Sequence, residues 1–517
     1  MTDARADAPA PRTAWLLAAV AAGAAALRLW GLRSQALYID EYFEAFAAWK
    51  PRSLGQLLDI LRDNPLHALL GPLANHVWGR WLETPELLRL PNALLGAATV
   101  VPLYFLGRRI GGRRTGLLSA LLLAGSLLHA EWSRRTPFYP PMVLETVLSV
   151  LALLRGLEGT GAAALAPWAA LQILFTYTHP YAFAAMALEG AWVAAVRRAD
   201  LKRWASWAAA VVMAYLPWHA FAAHQLLERR YFYFNELYGW HPLRDAARAL
   251  LVWGQASEGA FPMFPAGARA ASVAAAALYA ALAAAGLARL GRRGSGPWSL
   301  AALWVPGGLA AVLLLDRVFS YNFFPRQTLF ALPFYLILVA EGAGALLDRL
   351  GGKAWAAGGL ALAWLLVSAL PQLANQRALA AIKRVRGEVE RRTLEGTGED
   401  EVLLFAEPNN AQMFLLDVDR AAFLRAEHPR MNGGFYQFRL PDELVATRAG
   451  RSRRVFSIVR PGASLEEERA RWRALVGGPG STARLAYVDS AKPLPGDEPK
   501  LRAFEEFVRG LAPKPGR

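Results

Sequence analysis

The chain has 517 residues, of which 55% are hydrophobic and 19% charged, against about 25% charged in a typical soluble domain. A formal net charge of +16 would suit nucleic acid if the basic residues formed one face. Instead they gather in short clusters between long apolar blocks, as in the loops of a membrane protein, and the absence of cysteine excludes disulfides, thiol catalysis and cysteine-ligated zinc.

A membrane-crossing helix needs about 20 mostly apolar residues. Eleven blocks are predicted to span: residues 13–30, 90–107, 115–130, 140–154, 161–178, 181–196, 204–223, 270–288, 297–315, 328–347 and 354–370. Only His179-Pro180 divides the fifth from the sixth. Orientation follows from the loops that hold Lys and Arg, because positive loops stay cytoplasmic. Arg108, Arg109, Arg113 and Arg114 form one such cluster; Arg155, then Arg197, Arg198, Lys202 and Arg203, then Arg289, Arg292 and Arg293, then Arg349 and Lys353 form the others. The opposite loops hold fewer, Arg134 with Arg135 and Arg317 with Arg326. The N-terminus is therefore expected in the cytoplasm, and an odd number of spans places the region after the last one outside.

The predicted organisation is a transmembrane domain over residues 1–371, with external stretches at 33–89 and 224–269, and a soluble external α/β domain over residues 372–517. In the latter, charges of both signs surround short apolar runs. Residues 402–406, 413–418, 455–459 and 485–488 read as strands, and 465–476 and 501–511 as amphipathic helices. Glu145, Glu189 and Glu341 lie within spans, where a lipid-facing carboxylate would be costly, and are expected to turn inward and hydrogen-bond between helices. The segment from Glu228 to His241 is dense in aromatics beside charges, and suits a helix lying in the membrane interface, sugar stacking or a groove for a polyprenyl tail.

Just beyond the first span the chain reads Tyr38-Ile39-Asp40-Glu41. Two adjacent carboxylates at a low-dielectric boundary make better bases than solvated ones. The run from Leu27 to Glu41, the run Glu86-Leu87-Leu88-Arg89-Leu90-Pro91-Asn92-Ala93-Leu94-Leu95-Gly96 and the run from Val101 to Leu118 together resemble the GT-C membrane glycosyltransferases, in particular the bacterial branch that includes protein O-mannosyltransferases and the lipid A aminoarabinose transferase. Ala130-Glu131-Trp132-Ser133-Arg134-Arg135-Thr136-Pro137-Phe138-Tyr139 occupies the place of that family's second external loop, and the run from Phe324 to Phe334 resembles its late arginine-containing segment. The likeness covers roughly the first 155 residues well and the later spans by pattern.

The resemblance implies a mainly α, polytopic protein of about eleven transmembrane helices with GT-C-like architecture and a small C-terminal soluble α/β domain. It implies an inverting transferase of the bacterial inner membrane that moves a hexosyl or pentosyl group from a polyprenyl-phosphate carrier to a lipid, glycan or protein acceptor on the outer side. Asp40 matches the family's first-loop catalytic aspartate and is the expected base, with Glu41 orienting it or the acceptor. Arg326, Arg135, Arg134 and His67 are the expected ligands of the donor phosphate, and Asp63, Tyr139, His179 and Tyr321 the expected lining of the substrate cavity. In the first external loop, Arg62-Asp63-Asn64-Pro65-Leu66-His67 stands where relatives have His or Lys before a Pro-Pro-Leu-Tyr-Tyr run, and in the second a family acidic position has become basic, which either raises the positive potential near an anionic donor or marks a divergent donor site or lost activity. Asp40, Glu41 and Asp63 offer oxygen ligands, yet the nearer relatives work without a metal, so no cofactor is expected. Two other classes fit a chain with many spans: a flippase for lipid-linked sugars, which should show broken helices at mid-membrane and similar halves, and a membrane scaffold, which would need no acidic pair.

Overall fold

A computed structural model describes residues 11–62, 68–228, 239–293, 296–319, 323–351, 354–396, 401–405, 408–425, 430–432, 435–437, 444–448, 451–458, 464–476, 484–488 and 498–511. The chain is a mainly helical, polytopic membrane protein, and each of the eleven predicted spans is helical within those residues. Among the described residues, four helices are long and apolar enough to cross a bilayer on their own: Pro11–Leu29, Leu87–Gly111, Ala266–Gly291 and Trp298–Val318. The first of these is α1, and the second contains α5 (Leu90–Ala98) and α6 (Val100–Gly111).

The third, fifth and sixth spans are shortened by breaks that the sequence explains. The third divides into α7 (Arg113–Ala124) and α8 (Leu127–Ser133), because Ser126 adopts an extended conformation and its hydroxyl accepts from the His129 amide, capping a new helix. Between α10 (Ala166–Thr178) and α11 (Ala182–Val196), His179 is extended at φ −158°, the conformation that a following proline imposes. The fourth span is α9 (Tyr139–Gly156), and the seventh is α12 (Leu201–Glu228). The last runs unbroken through Pro371 as the helix Ala354–Gly396.

The stretch 33–89, expected as an external loop, is largely helical: α2 (Ile39–Trp49), α3 (Leu54–Arg62), α4 (Leu70–Trp78) and a 3-10 turn at Leu87–Arg89. Asp40 and Glu41 occupy the first turn of α2, where the helix dipole favours negative charge. Small residues allow one close helix approach. A methyl group on Gly286 would overlap the Leu338 carbonyl oxygen, and one on Gly342 that of Leu282, so the helices Ala266–Gly291 and Leu332–Arg349 meet backbone to backbone, as small residues allow in membranes.

The three intramembrane glutamates turn inward. Glu189 accepts from Ser149 Oγ (3.0 Å), Trp168 Nε1 (2.8 Å) and Gln172 Nε2 (2.8 Å). Glu145 accepts from Thr178 Oγ1 at 2.7 Å, and Glu341 from Arg293 Nη2 at 2.6 Å.

The chain divides into two compact units, residues 1–44 with 65–382 and residues 45–64 with 383–517. The second therefore begins later than residue 372, since the helix through Pro371 continues, and it takes in part of the first external stretch. Within it, Phe46 meets the edge of Phe423 at 5.8 Å, and the Arg420 guanidinium lies 3.8 Å from the Trp49 ring centre. Its sheet has the order β4-β5-β1-β6, from β1 (Glu401–Phe405), β4 (Leu444–Arg448), β5 (Arg451–Ser457) and β6 (Arg484–Val488). Strand β1 runs parallel to both β5 and β6, with Val402 opposite Arg454 and Leu485, and β4 is antiparallel to β5. A separate hairpin pairs β2 (Arg430–Asn432) with β3 (Phe435–Gln437). The helices Leu465–Val476 and Glu498–Leu511 cover the sheet through Trp472 and Phe504, which pack with Leu404 and Ile458. This is the expected α/β domain, with one correction. Residues 413–418, read as a strand, form the end of the helix Pro408–Val418. Among its buried residues Ala411, Phe414, Leu415 and Leu416, the first three fall at the i, i+3, i+4 spacing of a helix, which a short apolar run conceals.

Candidate active site

Three of the four sequence runs between Leu27 and Tyr139, those that begin at Leu27, Glu86 and Ala130, converge on one place. Arg89, at the end of the 3-10 turn, is fully buried, and its guanidinium grips the backbone that leads to Asp40. Nη1 donates to Leu32 O (2.8 Å) and Gln35 O (3.3 Å), and Nη2 to Ala36 O (3.0 Å). Nε and Nη2 also donate to the two carboxylate oxygens of Glu41 at 2.7 and 2.8 Å. All five donors of the guanidinium are used. Glu41 in turn accepts from the Tyr38 amide at 2.8 Å and from the amide and hydroxyl of Thr136 at 3.2 and 3.1 Å. Burial alone would raise its pKa, but the Arg89 charge and hydrogen bonds hold it below the ordinary 4.5. Glu41 is thus a buried anion that fixes the turn, and it positions Asp40 through the backbone.

Asn92, from the same run as Arg89, clamps the second loop. Its Nδ2 donates to the carbonyls of Arg135 (2.9 Å), Thr136 (2.7 Å) and Pro137 (3.0 Å). That loop sends its two adjacent arginines apart. Arg134 is fully buried, with Nη1 3.5 Å from Leu27 O and its own carbonyl accepting from Gln35 Nε2, so it packs against the end of α1. Arg135 instead lies 4.4 Å from the Tyr38 ring centre and 4.3 Å from that of Trp132, and pairs with Glu131 at 2.7 Å.

Asp40 faces Arg326. The nearest approach is 3.7 Å, from Nη2 to Oδ2, with the Asp40 side chain 22% exposed and Arg326 5% exposed. Burial raises the Asp40 pKa above the ordinary 3.8 against the opposing charges of Arg326 and Arg135. One turn along α2, burial pushes Glu44 up to about 8; Asn75, which donates to it at 2.6 Å, opposes that shift, and the Asp40 charge adds to it. At neutral pH Asp40 is therefore flanked by a largely uncharged Glu44.

Arg326 is fixed on several sides. Its Nη1 pairs with Glu258 Oε1 at 2.7 Å and donates to Tyr38 Oη at 3.2 Å, Nε donates to Tyr139 Oη at 3.2 Å, and its amide donates to Glu258 Oε2 at 3.2 Å. Its guanidinium lies 3.9 Å from the Phe324 ring centre and 4.9 Å from that of Trp132. Trp132 Nε1 donates to Glu258 Oε2 at 2.8 Å, and the Glu258 amide to Glu131 Oε2 at 3.3 Å. Glu258 reaches this position through a strained turn. Gln255 has φ 83° and is the one non-glycine with positive φ among the described residues, a conformation that costs of order 1–3 kcal/mol. Three bonds hold it there: Oε1 accepts from the Leu127 amide (3.0 Å), Nε2 donates to Tyr279 Oη (3.3 Å), and its carbonyl accepts from Ser272 Oγ (2.8 Å).

His179 stacks on Tyr181 at 4.7 Å and lies 5.4 Å from Tyr139. Burial, then the charge of Arg326, pushes its pKa down to about 3, so it presents a neutral ring at physiological pH. Of the residues expected from sequence, the structure brings together Asp40, Glu41, Arg135, Arg326, Tyr139 and His179. It places Arg134 in the packing behind the loop. His67, Asp63 and Tyr321 lie outside the described residues, as does the aromatic run from residue 229 to 238. Among the described residues no three His, Asp or Glu side chains are grouped to hold a metal ion. The sequence reading missed Glu258, Glu131, Tyr38 and Arg89 as parts of the site. Glu131 and Arg89 lie within the runs singled out, whereas nothing around Glu258 marks it.

The arrangement is a partly buried carboxylate beside an anchored guanidinium, walled by Tyr38, Trp132, Tyr139 and Phe324. Such a pair can take a proton at one end and hold an anion at the other. Residues 75–221 match the family described as dolichyl-phosphate-mannose-protein mannosyltransferase, which bears out the resemblance over that stretch. No curated protein sequence matches the chain. Among solved structures, the chain is similar to the oligosaccharyltransferase AglB from Archaeoglobus fulgidus, in complex with an inhibitory peptide and a dolichol-phosphate, with 12% identity over 78% of this chain and 63% of that one, at a TM-score of 0.49. It is also similar to ArnT from Cupriavidus metallidurans bound to undecaprenyl phosphate, with 14% identity over 79% of this chain and 85% of that one, at a TM-score of 0.48. The chain spans about three fifths of the length of the archaeal enzyme.

Proposed function

We propose that the protein is an inverting glycosyltransferase that moves a hexosyl or pentosyl group from a polyprenyl-phosphate carrier to a hydroxyl or amine of a lipid, glycan or protein acceptor. The observation that supports this most is the facing of Asp40 and Arg326 in a site that three motif-bearing segments build together. The family match over residues 75–221, whose description names a dolichyl-phosphate-linked mannose donor, supports the carrier class. In the step, the acceptor oxygen or nitrogen bonds to the anomeric carbon as its proton passes to the Asp40 carboxylate. The carbon–oxygen bond to phosphate breaks with its electron pair retained by the departing phosphate monoester. Arg326 neutralises that anion, and because the monoester is already a stable leaving group no acid is required. Arginine does the work of charge neutralisation here, so the reading needs no metal cofactor. It places the protein in a bacterial inner membrane, with the N-terminus cytoplasmic and the α/β domain outside.

The direct test incubates the purified protein with a panel of undecaprenyl-phosphate sugars in detergent and follows release of undecaprenyl phosphate. Consumption of at least one donor is expected; a protein that turns over none of them, in the presence of its native membrane extract as acceptor source, contradicts the reading.

The pH profile carries its own test. Asp40 accepts a proton only when ionised, and burial raises its pKa above 3.8, so the rate should fall as pH drops through a value above that of a solvated aspartate. A transfer rate that stays flat down to about pH 4 would remove Asp40 as the base.

Glu258 positions Arg326 rather than touching the reacting atoms. Hydrogen bonds to charged groups contribute about 1.5–3 kcal/mol, so Glu258→Gln should raise the KM for donor by about tenfold or more with a smaller change in kcat. A fall in kcat alone, with donor KM unchanged, would contradict this role.

A further inference from the structure

A second charged site lies at the other end of the bundle. A cavity of 310 Å³ is lined by Gly111, Arg113, Arg114, Thr115, Arg289, Glu341, Gly344 and Asp348. Its distance from Asp40 follows from the helices that join them. Arg89, which holds the Asp40 turn, and Gly111, which lines the cavity, belong to one run, Leu87–Gly111, and their separation corresponds to about 33 Å at 1.5 Å per residue. Likewise the helix Leu332–Arg349 starts shortly after Arg326 and has Asp348 in its last turn. The cavity therefore opens on the face where the positive clusters of the short loops lie, opposite the candidate active site.

Charge there is unbalanced. Glu341 is held by Arg289 Nε at 3.1 Å, by Arg293 Nη2 at 2.6 Å and by the Thr115 hydroxyl. Asp348 is held by Arg289 Nη1 at 2.8 Å and by Arg114. Two carboxylates thus pair with three guanidiniums, those of Arg114, Arg289 and Arg293, and the exposed Arg113 lines the same cavity outside the ion pairs just named. The same wall is the first turn of α7, which follows Gly112 at φ 95°. The amides of a first turn have no partner within their helix and favour an anion. Glu341 and Asp348 hold Arg289 and Arg114 at the wall, so the guanidinium array is ordered before any ligand arrives.

We propose that this cavity binds a phosphate group, supplied either by the headgroup of an anionic phospholipid in the leaflet away from the candidate active site or by a water-soluble phosphate ester. A planar guanidinium suits phosphate geometry, and the volume accommodates a phosphate together with a glycerol-sized substituent.

The test uses the full-length protein in detergent and native mass spectrometry, with three probes of matched chemistry: dioleoyl-phosphatidylglycerol, dioleoylglycerol without the phosphate, and sn-glycerol 3-phosphate. Phosphatidylglycerol is expected to bind and dioleoylglycerol not to; displacement of the lipid by glycerol 3-phosphate would assign the site to soluble esters, and its failure to displace would assign it to the membrane. Arg113→Gln, which leaves the ion pairs of Glu341 and Asp348 in place, should weaken binding of the phosphate-bearing probe at least fivefold, and Arg289→Gln more so where it folds. Equal binding by Arg113→Gln and wild type, or no binding of either phosphate-bearing probe, overturns the proposal.

Discussion

Asp40→Asn is expected to lower sugar transfer by about 10²–10⁴-fold, the range that a positioned general base supplies, while the protein stays folded. The amide matches the carboxylate in shape but cannot take the acceptor's proton. Its cost to stability should be small, because Asp40 retains 22% exposure and stands 3.7 Å from its arginine, outside the hydrogen-bonded grip that fixes Glu41. Rates measured with a saturating lipid-linked donor, beside melting curves of both proteins in the same detergent, separate loss of chemistry from loss of fold. Unchanged transfer in the Asn variant would mean that another group takes the proton, and the proposed mechanism would fail at its first step. A flippase or a scaffold also predicts no effect on transfer, since neither catalyses it.

Much of this site can be read from the sequence because its parts are local. The adjacent carboxylates after the first apolar block, the Leu-Leu-Arg-Leu-Pro-Asn run and the Glu-Trp-Ser-Arg-Arg run each mark themselves by charge at a membrane boundary, and the structure joins them through Arg89 and Asn92. What sequence hides is the direction of side chains. Arg134 and Arg135 are equivalent as letters, yet the chain leaves α8 at Ser133, and the change of backbone course turns one toward α1 and the other onto Tyr38 and Trp132. Glu258 was illegible for a different reason. It stands in an unremarkable stretch, and its function depends on a strained Gln255 turn held by α8 and the helix Ala266–Gly291, which are contacts distant in sequence. The strand expected at 413–418 failed on a third ground, since four apolar residues in a row satisfy either periodicity.

The largest effect on stability is expected at Arg89. Replacing it with Ala leaves Glu41, 1% exposed, as a buried carboxylate without its countercharge, and unfastens the carbonyls of Leu32, Gln35 and Ala36. Breaking a buried pair from one side costs about 3–5 kcal/mol. Removing both charges in a single protein, Glu41→Gln with Arg89→Met, avoids the stranded anion and should recover part of that loss, though the three carbonyls remain unbound. Melting midpoints in detergent should therefore rank wild type above the double variant and the double variant above Arg89→Ala. Transfer should follow a different order. Both variants release the segment that carries Asp40, so both should be slow even where the double variant is folded, because misplacing a base by an ångström is enough to cost about 10²-fold. A double variant that regains stability and full transfer together would show that the Arg89 grip serves folding alone, and that Asp40 finds its place without it.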